Sequence, residues 1–273
     1  MKRALGSVAL HAVLLFGAGI ALLPLVWMIA ASLMPAGEAS AYPPRLLPSA
    51  PTLQHYRELW LRLDVARAFA NSLGLALAIT AVSLLLNSMA GYAFAKLSFR
   101  GRDRIFRGLL TALVIPAQVG MLPLFLLLHE MGLIDTYAAV VIPGLASVFG
   151  IFLVRQYALS IPDSLLDAAR VDGASELRVY WSIALPILRP VLVTLAIFTF
   201  LASWNDFMWP LIVLSDQAWQ TAPVALAGLS REHVQDNELM MAGSVVTLVP
   251  VLALFFVLQR HYIEGLLLGS VKG

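Results

Sequence analysis

The sequence has no cysteine and little charge: 273 residues hold 18 Lys and Arg and 16 Asp and Glu, 12% of the chain. Without cysteine there is no disulfide framework, no thiolate metal site and no cysteine nucleophile. A soluble domain carries about 25% charged and roughly 45–50% apolar residues. Here the hydrophobic share is 60%, which points to lipid as the solvent. The net charge of +2 gives no reason to expect a nucleic-acid partner. A Gly-x-x-x-x-Gly-Lys-Ser/Thr phosphate loop is also missing, so the chain cannot hydrolyse ATP by that route. Neither His-Glu-x-x-His nor Gly-x-Ser-x-Gly occurs. The five histidines (His11, His55, His129, His233 and His261) show no ligand spacing. No catalytic residue and no metal site are expected.

What the chain does have is long apolar runs. A bilayer core about 30 Å thick needs roughly 20 apolar residues as a helix. Six stretches qualify: residues 8–31, 68–95, 108–128, 136–154, 190–214 (interrupted by Asp206) and 239–259. Pro24, Pro116, Pro123, Pro143, Pro210 and Pro250 fall inside them. Membrane helices tolerate proline because packed neighbours satisfy the freed carbonyls. The run after Met1-Lys2-Arg3 is too long for a cleaved signal, whose apolar core is about 7–15 residues, and reads as a retained first helix.

The cationic residues orient the spans. With an inside N-terminus, the inner segments hold Lys2, Arg3, Lys96, Arg100, Arg102, Arg104, Arg107, Arg155, Arg170, Arg178, Arg189, Arg260 and Lys272. The outer segments hold only Arg45, Arg57, Arg62, Arg67 and Arg231. Both termini are therefore expected in the cytoplasm. Of the outer segments, 34–67 is first rich in proline. After Thr52 it turns amphipathic, with Leu53, Tyr56, Leu59, Trp60 and Leu63 near helical spacing; a short surface helix packed on the protein itself is expected. The polar loop 216–238 could meet an external partner.

The inner segment 156–189 is too long to be a bare loop. Pro162-Asp163-Ser164 reads as a helix start, with Ser164 and Asp167 spaced as a capping box. Leu165, Leu166 and Ala169 are expected on one face. Gly173 suits a left-handed helix stop. Ser175-Glu176 opens a second helix carrying Leu177, Tyr180, Trp181 and Ala184 toward Leu185-Pro186. Apolar residues on the cytoplasmic side have two explanations: a partner groove that accepts a short helix, or packing within the loop itself.

The motif Asp167-Ala168-Ala169, Gly173 and Ile183-Ala184-Leu185-Pro186 resembles the cytoplasmic loop of bacterial ABC importer permeases. That loop reads Glu-Ala-Ala, three residues, Gly, nine residues, Ile-x-Leu-Pro. Every spacing matches, and only Asp167 departs, with Asp for Glu. Asn71-Ser72, Gly91-Tyr92-Ala93-Phe94-Ala95, Phe99-Arg100-Gly101, Ser203-Trp204-Asn205-Asp206 and Gly269-Ser270-Val271-Lys272-Gly273 extend the resemblance over nearly the whole chain. It is nearest the carbohydrate-uptake branch, where the chain is similar to the smaller maltose-type permease subunit.

The resemblance implies an all-α polytopic membrane protein of the bacterial inner membrane. Six transmembrane helices would form a type I permease fold, with a coupling helix between helices four and five. It implies a first helix and outer loop over 1–66, the transport domain over 67–262 and a tail over 263–273. The implied partners are a second, homologous permease, an ATPase dimer that holds ATP and Mg, and an external substrate-binding protein. No cofactor is expected on this chain. The implied ATPase-coupling residues are Leu165, Leu166, Asp167, Ala168, Ala169, Arg170, Asp172, Gly173, Leu185 and Pro186. In the family the acidic residue at the loop's start reaches a basic residue of the ATPase; Asp167 is one methylene short for that.

Asp206 is the one acidic residue inside an apolar run, and an ionisable residue there is a functional candidate. Counted from Pro190 it lies about 24 Å along the helix. Trp204, Asn205 and Asp206 could line a sugar pathway, with hydroxyl partners and stacking rings, or could anchor the helix at the interface. Asn87, Gln118 and Ser83 fit helix-to-helix hydrogen bonding. A self-sufficient secondary transporter would need midplane carboxylates and usually a repeat; the sequence shows one peripheral Asp and no repeat.

Overall fold

Each apolar run becomes helix, because only internally hydrogen-bonded backbone is tolerated in lipid. The structure, a computed structural model, describes residues 2–62, 64–232 and 236–268. Leu63, His233 and 269–273, with Lys272, lie outside the described residues. In chain order the helices are α1 (Lys2–Ser32), α2 (Gln54–Arg62), α3 (Val65–Lys96), α4 (Arg102–Ala112), α5 (Ala117–Glu130), α6 (Tyr137–Gly144), α7 (Val148–Ala158), α8 (Asp163–Val171) and α9 (Glu176–Val179). A π-helical turn, Tyr180–Ala184, leads into α10 (Leu185–Trp204), followed by α11 (Met208–Val213), a 3₁₀ turn (Gln217–Trp219), α12 (Ala222–Glu232) and α13 (Asn237–Leu268). No strand occurs among the described residues.

Among the described residues, five helical stretches are long and apolar enough to span a membrane, and the pair α4 and α5 makes a sixth if counted together. Three expected spans differ in detail. The third is not one straight helix over 108–128: α4 and α5 are bent by 101°. Pro116 has no amide to continue the ladder and biases Ile115 away from helix. The preceding turns tighten, with Leu113, Val114 and Ile115 bonding back three residues. The fourth extends to Ala158 and is interrupted between α6 and α7, where Ser147 caps α7 by accepting from Gly150 N at 2.9 Å. The fifth starts not at Pro190 but at Glu176, and stops at Trp204 instead of running to Leu214.

The chain divides into two compact units. One comprises Met1–Arg67 and Ala222–Pro250. Its core joins Leu59, Val65 and Ala242, with Tyr56, Leu226 and Leu239 against them. The amphipathic segment is α2, which packs on the protein itself: Leu59 is buried, and the Tyr56 hydroxyl lies 2.7 Å from Ser32 Oγ. The polar loop before α2 is tied by Glu38, which accepts from Arg45 and from Ser49 N.

The other unit comprises Ala68–Thr221 and Val251–Gly273. Its largest core gathers Tyr92, Val154, Ala158, Ile161, Leu166 and Val179, with Tyr180, Ala184 and Leu188. Here α3 and α7 approach so closely that a Cβ on Gly91 would lie 2.7 Å from Val154 Cβ. The buried Asn87 joins the same two segments: its Oδ1 accepts from Ser147 N at 3.0 Å and its Nδ2 donates to Ser83 Oγ at 2.7 Å. Gln118 is exposed on α5 and does not share that role.

Candidate functional site

Segment 162–188 is a helix, a glycine turn and a second helix continuous with a span. Pro162, not Ser164, is the N-cap of α8, and Ser164 lies inside the helix. Lys96, the last residue of α3, fixes that start: its ammonium donates to Ile161 O at 2.6 Å and to Asp163 Oδ1 at 2.7 Å. This hydrogen bond, and then the Lys96 charge, hold the Asp163 carboxyl below the usual carboxylate range.

α8 ends in a Schellman motif. Gly173 has φ 82°, its amide donates to Arg170 O, and the Ala174 amide donates to Ala169 O, both at 3.0 Å. Both bonds satisfy carbonyls the helix end would leave bare. Ser175 then caps α9, its hydroxyl accepting from Arg178 N. Across the turn, Arg170 binds Glu176 through two nitrogens, at 2.6 and 3.2 Å, and Asp167 Oδ1 at 2.7 Å. Asp167 is thus engaged within the segment, a partner the sequence did not suggest.

The faces of the two helices separate cleanly. Leu166 is fully buried and Ala169 packs against the same core, whereas Leu165 is exposed. The three expected on one face are therefore split, since consecutive helical residues point 100° apart. On the outside, Ala168 and Asp172 are exposed, Val171 is 87% exposed and Leu177 is 59% exposed. One half of the segment thus packs inward, and the other is mixed, with Val171 and Leu177 uncovered among the exposed Ser164, Asp167 and Asp172. Pro186 cannot supply the amide that would close on Ser182, and the helix widens there, with Leu185 N bonding Tyr180 O. Tyr180 is pinned to α3, its hydroxyl 2.7 Å from Ser88 Oγ.

A second feature is a cavity of about 730 Å³, lined by Ser83, Ser147, Thr199, Ser203, Asp206 and Trp209 together with apolar residues. Asp206 sits in the break after α10, where its Oδ1 accepts from Trp209 N at 3.3 Å. Sequence neighbours are dispersed here. Trp204 is buried against Phe69 and Phe200, with ring centroids 5.2 and 6.0 Å away. Asn205 is exposed and donates to Leu201 O. Neither lines the cavity. Trp209 does line it, its indole donating to Ala139 O at 2.9 Å. Asp135 was also missed by sequence reasoning: it has φ 57° and its carboxylate accepts from Ser215 N and Asp216 N.

Known proteins fit this architecture. Residues 87–266 match the family described as binding-protein-dependent transport system inner membrane component. The chain is 40% identical over 261 residues to the arabinooligosaccharides transport system permease protein AraQ of Halalkalibacterium halodurans, covering 94% of each. It is 30% identical to the lactose transport system permease protein LacG of Rhizobium radiobacter, covering 100% of this chain and 98% of that one. It is 32% identical to the trehalose transport system permease protein SugB of Mycobacterium tuberculosis, covering 93% and 94%. A chain of a bacterial ABC transporter involved in the import of the acidic polysaccharide alginate superposes with a TM-score of 0.85 at 22% identity, over 95% of this chain and 97% of that one. That likeness shows the fold. With its apolar spans, matched domain and full-length relatives, the chain belongs to the family of inner membrane components of binding-protein-dependent transport systems.

Proposed function

We propose that this chain is the permease subunit of an ATP-binding-cassette importer for a sugar or sugar derivative, energised by a separate ATPase docked on 164–186. The observation that carries the reading is the exposure of the apolar Val171 and Leu177 on a helix–turn–helix clamped by Arg170 and Lys96. An exposed apolar face on a rigid support suits insertion into a groove of a partner. Leu165, Asp167, Ala168, Asp172 and Gly173 would meet the ATPase. Leu166, Ala169 and Arg170 would hold the element's shape. Leu185 and Pro186 would pass its motion into α10. Asp167 is bound to Arg170, so apolar contact carries more of the docking than an ion pair does.

In this reading ATP and Mg sit on the ATPase pair, and this chain binds no cofactor. Closure of the ATPases moves the element, and α9 through α10, one continuous helix, shifts the cavity walls. A second, homologous permease completes the pathway, and an external binding protein delivers the solute. The substrate class rests on relatives named for arabinooligosaccharides, lactose and trehalose. It also rests on the cavity's hydroxyls, the Asp206 carboxylate and the ring of Trp209, which suit sugar hydroxyls and apolar sugar faces. Trp204 and Asn205 would support the helix end instead of touching substrate. Both termini lie in the cytoplasm by the distribution of Lys and Arg.

The test is co-expression with the partner permease, the ATPase and the binding protein. The reading expects a stable assembly whose ATP hydrolysis rises with the loaded binding protein. Solute uptake by vesicles holding this chain alone would overturn it.

A further inference from the structure

The helix α4 is fastened to the protein on one side only. Its single buried residue is Phe106, held between the Phe94 ring, at 5.4 Å between centroids, and the Arg155 guanidinium, 4.1 Å over its own ring. Arg102 closes the approach by donating to Leu97 O at 3.2 Å. Away from that contact, Arg104 and Arg107 lie three residues apart and so share a face, and Arg100 precedes them. All three are exposed. Arg104 and Arg100 have no partner among the described residues, and Arg107 donates only to Asp103 O, at 3.2 Å. A depression of about 600 Å³ is lined by Phe99, Arg100, Arg102, Asp103, Arg104 and Arg107. Four guanidinium groups there face one carboxylate, and Arg102 already binds that carboxylate at 3.2 Å.

Beside the arginines, Ile105 is half exposed, and past the helix Leu113, Val114 and Ile115 are exposed as well. The 101° bend at Pro116 turns α4 off the line of α5. An arginine stripe next to bare hydrocarbon, on a helix turned away from its span, matches one ligand chemistry. That ligand carries an anionic phosphate and an acyl chain together. We propose that Arg100, Arg104 and Arg107 bind the headgroup phosphate of an anionic phospholipid, with Ile105 and Leu113 against its acyl chains. Guanidinium forks fit phosphate oxygens in pairs, and clustered arginines next to a span attract anionic lipid. A free phosphate would use the arginines but not the exposed hydrocarbon.

The test uses the full chain, purified in detergent and exposed to equal amounts of phosphatidylglycerol and phosphatidylcholine. Bound lipid is counted by native mass spectrometry. The wild type is expected to retain phosphatidylglycerol preferentially. The double variant R104Q/R107Q should lose that preference by about fivefold per arginine, and R57Q, an exposed arginine elsewhere, should keep it. Because Arg104 and Arg107 bond no other side chain, the glutamine pair is expected to elute as the wild type does. Should it not, R104E/R107E gives a second reading and is expected to favour phosphatidylcholine. Equal retention of the two lipids, an unchanged preference in both double variants, or displacement by inorganic phosphate would overturn the proposal. So would loss of a co-expressed ATPase from R104Q/R107Q with lipid retention unchanged, which would assign the stripe to a protein.

Discussion

Arg170 grips Glu176 across the Gly173 turn with two parallel hydrogen bonds, Nε to Oε1 at 2.6 Å and Nη2 to Oε2 at 3.2 Å. The forked geometry is one that lysine cannot reproduce. Exposed pairs of this kind contribute about 0–1 kcal/mol each, so Arg170→Ala, which breaks the pairs to both Glu176 and Asp167, is expected to lower overall stability by no more than ~2 kcal/mol. Its local effect is larger: amide exchange over 172–178 should quicken while exchange in α10 stays unchanged. Arg170→Lys should fall between the two. Exchange read by mass spectrometry checks this.

Gly173 carries the turn itself. A Cβ there meets nothing within 4 Å, yet φ is 82°. The cost of a side chain is therefore conformational, about 1–2 kcal/mol for Gly173→Val. Asn, which tolerates the left-handed region better, should cost less. The expected outcome is normal membrane insertion of Gly173→Val with reduced retention of the ATPase, checked by co-purification.

Val171 and Leu177 stand outside the core, and replacing both by Asp should change the thermal midpoint by the equivalent of about 1 kcal/mol or less, about 0.5 kcal/mol for each. The same pair should abolish ATPase retention. Leu166→Asp, by contrast, should fail to fold, since Leu166 is fully buried.

Gly91 offers a packing test within the membrane domain. Gly91→Leu drives a side chain into Val154 and the Arg155 backbone, overpacking that costs about 1–3 kcal/mol. Gly108→Ala, with open space around its Cβ inside α4, should stabilise by about 0.5–1 kcal/mol. Thermal unfolding in detergent distinguishes them.

The Lys96–Asp163 contact predicts a pH dependence with a definite sign. Lys96 depresses the Asp163 carboxyl, so its folded pKa lies below its unfolded one. The contact then stabilises fully above the unfolded value and is lost as pH falls through the folded one. The thermal midpoint of wild type should exceed that of Asp163→Asn above about pH 5 and approach it below roughly pH 4.

Part of this was legible in the chain. Gly173 followed by Ser175-Glu176 has only one good local solution, and the structure takes it. The apolar runs gave the helices because lipid leaves no other choice. The break at Pro116 was hidden because Pro24, Pro123, Pro143, Pro190 and Pro250 all stay inside helices; proline alone does not say which will bend. The Arg170–Glu176 pair spans six residues and exists only once the turn has folded. Trp204, Asn205 and Asp206 looked like one cluster in sequence, but at a helix end they point three ways, and only Asp206 reaches the cavity.

The most direct measurement is ATP hydrolysis by the reconstituted assembly of this chain, its partner permease and the ATPase, with and without the sugar-loaded binding protein. Stimulation by the loaded binding protein is expected in the wild type and none in the Val171→Asp/Leu177→Asp variant, though that variant inserts and folds. Equal stimulation in both would contradict the claim that this helix–turn–helix couples the membrane domain to its motor.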